Sequence, residues 1–519
     1  MSEAAQAHLP AHVPSPVEPL DEFNRELLEN VHPPHWVNPE PAARYHMVVL
    51  GGGTAGLVSA AGAAGLGAKV ALIERHLLGG DCLNVGCVPS KGIIRASRAW
   101  QEVRHGRERF GAPATESRSH GDFGAAMARM RRLRAGISEN DGAKRFAGLG
   151  VDVFLGQGRF VSPDEIEVAG KRLRFRRAVI ATGARAEVPQ VPGLIEAGYL
   201  TNETIFNLTE LPERLVVIGC GPIGCEMAQS FARFGSRVTM LNKDGHVLLR
   251  EDADAAGIVQ QALLRDGVQI EFHMKVLEVR LRGSQKVVVI ESGGQRKEIN
   301  ADHILVSAGR APNIEGLGLD AAGVKHSRKG VEVDDKMRTS NPKVYACGDI
   351  ASRFQFTHVA DAQARIVIGN ALFFGRSKAS ALTIPWCTYT SPEIAHVGLY
   401  EKDARAKGLD VDTLTIPLAT VDRAILDGAD EGFLRVHVEK GSKEGKILGA
   451  TLVAEHAGDM IGELCLAITH KIGLGKIAGV IHPYPTQGEV IKKAADTWRR
   501  GKLTPGVKKF FARWFRVFS

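Results

Sequence analysis

No apolar run in the 519-residue sequence reaches the roughly 18 residues that a membrane-spanning helix needs, so no span is expected. Cysteine is scarce. Its seven copies are an odd number scattered along a long chain, which argues against a disulfide scaffold. The first 44 residues have no apolar signal-peptide core and are rich in Pro, Ala and His. These absences make the cytoplasm the expected compartment, where a disulfide is more often catalytic than structural. A strong charge imbalance is also missing: 66 Lys and Arg stand against 58 Asp and Glu, a net charge of +8. Anionic small-molecule ligands account for that surplus. No basic and aromatic surface motif argues for nucleic acid, and none is expected as a partner. Cys347, Cys387 and Cys465 show neither pairing nor metal-ligand spacing; they read as core residues, and no metal site is expected.

What is present is ordinary in bulk, with 44% hydrophobic and 24% charged residues. The length suits about three domains, each with its own core. Glycine is abundant at 58 residues and sits in tight clusters, which suggests backbone approaching a ligand more than flexible linker.

Residues 1–44 read as an extended arm with one short helix at 20–31. From Tyr45 a short strand runs into Gly51-Gly52-Gly53-Thr54-Ala55-Gly56, and an alanine-rich helix follows. A second strand at 69–73 ends at Glu74, a charged helical stretch covers about 95–147, and strands at 151–155 and 173–180 lead to Thr182-Gly183. The pattern then restarts with a strand at 215–218, Gly219-Cys220-Gly221-Pro222-Ile223-Gly224, a helix and a strand at 237–241. Segment 344–350 should return to the first unit. From about Pro385, strands alternate with two helices in a separate C-terminal domain.

A lone GxGxxG is weak evidence. Each of these two follows a strand, opens a helix and precedes another strand, the context in which the fingerprint binds a dinucleotide. Gly51, Gly53 and Gly56 in one, and Gly219, Gly221 and Gly224 in the other, would let backbone amides reach a pyrophosphate at the helix N-terminus. Glu74, 18 residues beyond Gly56, stands where an acid binds a ribose hydroxyl. Two such sites suggest electron transfer between two dinucleotides.

Five residues after Glu74 comes Gly79-Gly80-Asp81-Cys82-Leu83-Asn84-Val85-Gly86-Cys87-Val88-Pro89-Ser90-Lys91. Over about residues 45–500 the sequence resembles the class I flavoprotein disulfide reductases, the group of dihydrolipoyl dehydrogenase, glutathione reductase and mercuric reductase. The resemblance implies FAD as cofactor, with Cys87 as the thiolate against the flavin and Cys82 as the interchange thiol that attacks substrate. A helix beginning near Pro89 would help lower the thiol pKa. The resemblance also implies that Asp349, after Gly348, binds the ribityl chain, that Thr182 and Gly183 pass close to FAD, and that Gly158 lies near the adenine. Lys91 and Glu226 match a pair beside the isoalloxazine, and His358 begins a helix aimed at its pyrimidine end. Gly309, in the segment 307–313, marks the return from the nicotinamide domain. Cys220 and Cys225 repeat the spacing of Cys82 and Cys87, but they flank a glycine fingerprint and read as inert packing residues.

The second nucleotide site carries Asn242 where an NAD site has an acid, followed by Lys243, with Arg250 one short loop on and Asp244 as an opposing charge. The two basic residues favour NADPH, with NADH as the alternative.

The C-terminal segment His482-Pro483-Tyr484-Pro485-Thr486-Gln487-Gly488-Glu489 departs from the group pattern. Tyr484 takes the place of the catalytic histidine, with Glu489 behind it, and a phenol of pKa near 10 does not shuttle protons at neutral pH as imidazole does. Tyr-Pro here is similar to mercuric reductases. No cysteine follows Cys465, however, and no N-terminal CxxC module is present. Ala61-Gly62 stand where glutathione reductases carry an arginine.

The implied fold is α/β, with two doubly wound nucleotide-binding domains plus an α+β dimerisation domain. The implied layout is 1–44 arm, 45–190 and 313–384 FAD-binding, 191–312 NAD(P)-binding, 385–500 dimerisation and 501–519 basic amphipathic tail. The expected enzyme is a homodimeric NAD(P)H oxidoreductase reducing a disulfide, a metal–thiolate or a small protein. The alternatives are a dihydrolipoyl dehydrogenase-type enzyme and a slow-turnover FAD redox sensor or membrane-associated partner. In the tail, Val507, Phe510, Phe511, Trp514, Phe515 and Phe518 fall on one helical face. That face is expected either to pack on the C-terminal domain or to contact a membrane peripherally through 507–518.

Overall fold

The computed structural model describes residues 17–112 and 121–518. The first 16 residues of the expected arm, and 113–120 of the expected helical stretch, lie outside the described residues. The helix in the arm runs Glu22–Val31, N-capped by Asp21, whose carboxylate accepts from the Asn24 amide at 2.9 Å.

The first nucleotide-type unit is built on the parallel strands Val151–Leu155, Val70–Glu74, Tyr45–Leu50 and Lys171–Ile180, in that spatial order. Val344–Ala346 pairs parallel to the far side of Lys171–Ile180, so the chain does return to this sheet after leaving it for more than 150 residues. Met47, Val48 and Val49 are fully buried, because helices cover one face and an antiparallel extension covers the other. That extension, Gly158–Ser162 with Glu165–Val168, lengthens the last strand to begin at Lys171 rather than 173. The helices Thr54–Gly65 and Thr357–Leu372 pack together on this sheet. The approach is close enough that a Cβ on Gly62 would meet Ile368 at 2.6 Å.

The second unit repeats the plan with Gln269–Glu271, Arg237–Leu241, Arg214–Ile218 and His303–Val306, all parallel, and adds a three-stranded antiparallel sheet spanning 274–301. The C-terminal domain is a five-stranded antiparallel sheet ordered Pro385–Thr388, Glu393–Gly398, Ile447–Ala454, Phe433–Glu439 and Val411–Pro417. Ala457–Thr469 and Glu489–Gly501 bury Ile461, Leu464, Val490 and Ala494 in its core. A third long helix, Pro505–Val517, buries nothing. Two helices were expected in this domain; shorter ones, Glu401–Ala406, Asp422–Leu426 and Leu474–Ile477, connect the strands. Among the described residues, no helix is long and apolar enough to cross a membrane.

Candidate active site

Both glycine fingerprints open on one continuous cavity of about 1390 Å³, above the size of most single-ligand pockets. The helices Thr54–Gly65 and Pro222–Phe234 start at its wall with glycine N-caps, Gly53 and Gly221, and no capping side chain. Their first-turn amides, beginning at Thr54 in one and at Ile223 in the other because Pro222 has no N–H, are thus free to meet an anion, aided by the helix dipole. A Cβ on Gly221 would meet no protein atom within 4 Å and would project into open space. Gly51 and Gly219 do the same backbone job twice. Their φ values are +111° and +110°, and a Cβ would strike Ala181 O at 2.3 Å or Ser307 O at 2.6 Å.

Gly56 and Gly224 do not line the cavity. A Cβ on Gly56 would stand 1.8 Å from Gly51 O, and one on Gly224 would stand 2.2 Å from Gly219 O. Their work is close packing of helix on loop, which sets the helix N-terminus beside the cavity. Glu74 lies in the cavity wall, where one carboxylate oxygen accepts from Gly52 N at 2.6 Å and the other from His76 N at 2.7 Å. Burial pushes its pKa up against those two amides. Gly158, Thr182, Gly183, Gly309 and Gly348 also line the cavity.

Cys82 lies in the short helix Gly80–Asn84, and Cys87 is the first residue of the helix Cys87–Phe110, two residues earlier than the expected start. Both thiols are free, and each shifts the titration of the other. Cys87 is exposed toward the cavity. Its pKa is lowered to about 6, first by the hydrogen bond from Cys82, then by the Thr357 hydroxyl and the charge of Lys91, all working against burial. The same hydrogen bond, together with burial, raises that of Cys82. The pair thus favours its negative charge on Cys87, at the first turn of a 24-residue helix, where the dipole stabilises it.

Around that thiolate, Thr357 Oγ1 is 3.4 Å from Cys87 Sγ. Lys91 Nζ is 2.9 Å from Glu226 Oε2 and 4.3 Å from the centre of the Tyr389 ring. The other Glu226 oxygen accepts from Tyr389 N at 2.9 Å. His358 is exposed; its Nε2 is held 2.7 Å from Pro385 O, and its ring stacks on Phe356. Asp349 is pushed up to about 6 by burial, opposed by Arg310, whose guanidinium lies 3.4 Å from Asp349 and 2.9 Å from Asp81. Thr357, Arg310 and Tyr389 have no role in the sequence reading. They come from segments 220 to 300 residues beyond the cysteine motif and bear on it only after folding.

Lys243 and Arg250 are both exposed and both line the cavity wall, as does Asp244. Asn242 is buried and turns its amide to His246 O at 2.8 Å, bracing the loop that carries the two cations.

Tyr484 and Glu489 are not in this cavity. Tyr484 is 70% exposed and donates its hydroxyl to Asp422 Oδ2 at 2.8 Å, which raises its pKa further. Glu489 begins the helix Glu489–Gly501, with one carboxylate oxygen buried and unpartnered. His482 points elsewhere, to Glu463 at 3.0 Å. Cys220 and Cys225 are buried with raised pKa values, as inert thiols are; Cys347 is buried and pushed up to about 12. Cys387 and Cys465 are partly buried and also raised. No metal-binding cluster occurs among the described residues.

Residues 45–364 match the family model described as pyridine nucleotide-disulphide oxidoreductase, and residues 384–495 match the dimerisation domain of the same family. A mercuric reductase of Staphylococcus aureus is 34% identical over 88% of this chain and 82% of its own length. A dihydrolipoyl dehydrogenase of Geobacillus stearothermophilus is also 34% identical, over 86% and 95%. Among solved structures, the HOCl-induced flavoprotein disulfide reductase RclA of Escherichia coli superposes with a TM-score of 0.77 at 28% identity, over 87% of this chain and 99% of that one. LpdA of Mycobacterium tuberculosis gives 0.79 at 27%, over 87% and 99%. Enzymes of this family use FAD and NAD(P)H. The chain belongs to the pyridine nucleotide-disulphide oxidoreductases.

Proposed function

We propose that the protein takes electrons from NADPH and delivers them through Cys82 and Cys87 to a disulfide or a thiophilic metal ion. The observation that carries this reading is the free pair Cys82 and Cys87 in the wall of the cavity shared by both fingerprints, with Cys87 at a helix N-terminus and 3.4 Å from the Thr357 hydroxyl. FAD, when bound, supplies the two-electron relay between nicotinamide and the cysteine pair. Gly51, Gly53, Glu74, Gly158, Thr182, Gly183, Gly348 and Asp349 would hold it, with Lys91, Glu226 and His358 at its ring. Gly219, Gly221 and Gly309 would hold the nicotinamide nucleotide, and the cations Lys243 and Arg250 support a 2′-phosphate and hence NADPH over NADH. On this reading 45–190 and 313–384 form the FAD-binding domain, 191–312 the NAD(P)-binding domain and 385–500 the dimerisation domain.

In the reduced protein, Cys82 passes its proton to Cys87 and its sulfur attacks an acceptor disulfide, releasing one thiolate, which takes that proton from Cys87 and leaves as a thiol. Cys87 then attacks the Cys82 sulfur, closing the Cys82–Cys87 disulfide and releasing the second thiolate. A metal ion would be bound as a bis-thiolate. That acceptor class is supported by relatives named mercuric reductase and by the structure of RclA as a Cu(II) complex, at TM-score 0.77 and 27% identity.

Homodimerisation is supported by an exposed apolar surface around Tyr484. Ile425 and Leu426 lie on the helix of its partner Asp422, Leu466 on the helix of Glu463, and Val480 and Ile481 just before it. The family resemblance implies that in such a dimer the partner's Tyr484 and Glu489 would reach Cys82. A dihydrolipoyl dehydrogenase reading is disfavoured, because the Tyr484 phenol, raised by Asp422, is a poorer proton shuttle than imidazole.

Steady-state NADPH oxidation against a panel of disulfides, Hg(II), Cu(II) and quinones tests the reading. Cys82→Ser should lose turnover with the best acceptor. Undiminished turnover in that variant would show that the pair is not the route.

A further inference from the structure

We propose that the helix Pro505–Val517 seats in the interfacial layer of an anionic lipid bilayer and holds the enzyme at that surface. The helix is well made: Thr504 caps it by accepting from Val507 N, and Pro505 occupies the first turn. None of its residues is buried against the rest of the chain. Phe510 is 60% exposed, Trp514 51% and Phe515 65%. A 13-residue helix without a packing partner is marginal in water, so its apolar face needs a surface to lie on.

The composition of the helix selects that surface. Its apolar face is a ladder of rings: Phe510 to Trp514 at 6.5 Å, Phe511 to Phe515 at 6.3 Å and Trp514 to Phe518 at 4.5 Å. Large rings with a polar or polarisable edge are the side chains that settle between headgroups and acyl chains. At about 100° per residue, Lys508 and Arg513 border the apolar arc on its two sides, and Lys509 and Arg516 lie opposite. The flanking pair can lay their methylenes along the face and reach phosphates. Arg499, Arg500 and Lys502 precede the helix, and no acidic residue follows Asp496. Such a cationic run draws a peripheral helix to anionic lipid. The same charge argues against a second copy as the occupant, since an isologous contact would bring the two cationic runs together. The helix is too short to span a membrane, so it lies in the surface.

The test uses the full-length, FAD-loaded protein centrifuged with vesicles of phosphatidylcholine alone and of phosphatidylcholine mixed with phosphatidylglycerol. The chain should sediment with the mixed vesicles and not with the neutral ones. A chain ending at Thr504 should stay in the supernatant with NADPH oxidation intact. Full-length Trp514→Ala/Phe515→Ala should lose at least about tenfold in partition coefficient. Failure of the full-length chain to sediment with mixed vesicles overturns the proposal. Equal partition of the double variant also overturns it, since charge alone would then suffice. If truncation instead dissociates an assembly in gel filtration, with no vesicle binding by the parent, the face is a contact between copies and the proposal fails.

Discussion

The Thr357 hydroxyl stands 3.4 Å from the Cys87 sulfur, two residues that are 270 positions apart in the chain. Each is the first residue of a helix, Cys87–Phe110 and Thr357–Leu372, so two helix N-termini converge on one sulfur. Two positive dipole ends and a hydroxyl donor all favour the thiolate.

In the reduced protein, Cys87 alkylation by iodoacetamide should therefore rise with pH to half its maximum near pH 6, then level off. Thr357→Val removes one donor to the anion. A hydrogen bond to a charged group contributes about 1.5–3 kcal/mol. At about 1.4 kcal/mol per pKa unit, the midpoint should move up by about one unit or more, leaving less thiolate at pH 6. An unmoved midpoint would show that the hydroxyl does not donate to the sulfur.

Gly56 and Gly221 occupy different places in their fingerprints, and alanine should separate their roles. Gly56→Ala drives a methyl into the Gly51 carbonyl and should lower stability by about 1–3 kcal/mol or more, seen as a fall in Tm. Gly221→Ala meets no protein atom, so Tm should hold while NADPH affinity falls. A Gly221→Ala protein with unchanged NADPH affinity would remove that helix N-terminus from the nucleotide site.

Lys243→Ala with Arg250→Ala should raise KM for NADPH by about tenfold to a hundredfold, the loss of charge-assisted hydrogen bonds to a 2′-phosphate. KM for NADH should change little. Parallel changes for both nucleotides would show that the two cations do not read the phosphate.

Tyr484→His restores an imidazole within reach of Asp422, which now accepts from the phenol at 2.8 Å. A general acid/base contributes about 10²–10⁴-fold, and even partial gain should appear as at least about tenfold faster turnover of a small disulfide. No gain with any disulfide would mean that acceptor binding, rather than proton transfer, separates this enzyme from its disulfide-reducing relatives.

The repeated fingerprints and the cysteine motif made the α/β class, the two nucleotide units and the redox pair legible before folding. A fingerprint is a local object: strand, tight glycine turn and helix N-terminus are consecutive, and the thirteen residues from Gly79 to Lys91 carry their chemistry in order. Strand positions were close for the same reason, because side-chain periodicity follows backbone geometry. Which glycines face a ligand was not legible. Gly53 and Gly56 look alike in sequence, and only the return of the helix over Gly51 O turns one toward the cavity and the other into a packing contact.

The sequence by itself determined everything whose cause is local: the class of fold, the paired nucleotide sites, the cysteine pair and the amphipathic period of the tail. Tertiary structure decided the rest. It set the two thiols apart, because Thr357 reaches Cys87 from a helix 270 residues on, while Lys91 lies one turn along the helix that Cys87 begins. It clasped Asp349 to Asp81 through Arg310, and it left the aromatic face of Pro505–Val517 uncovered. Charge and burial at a given atom depend on distances across the chain, and those distances exist only once the parallel sheets have brought remote segments side by side.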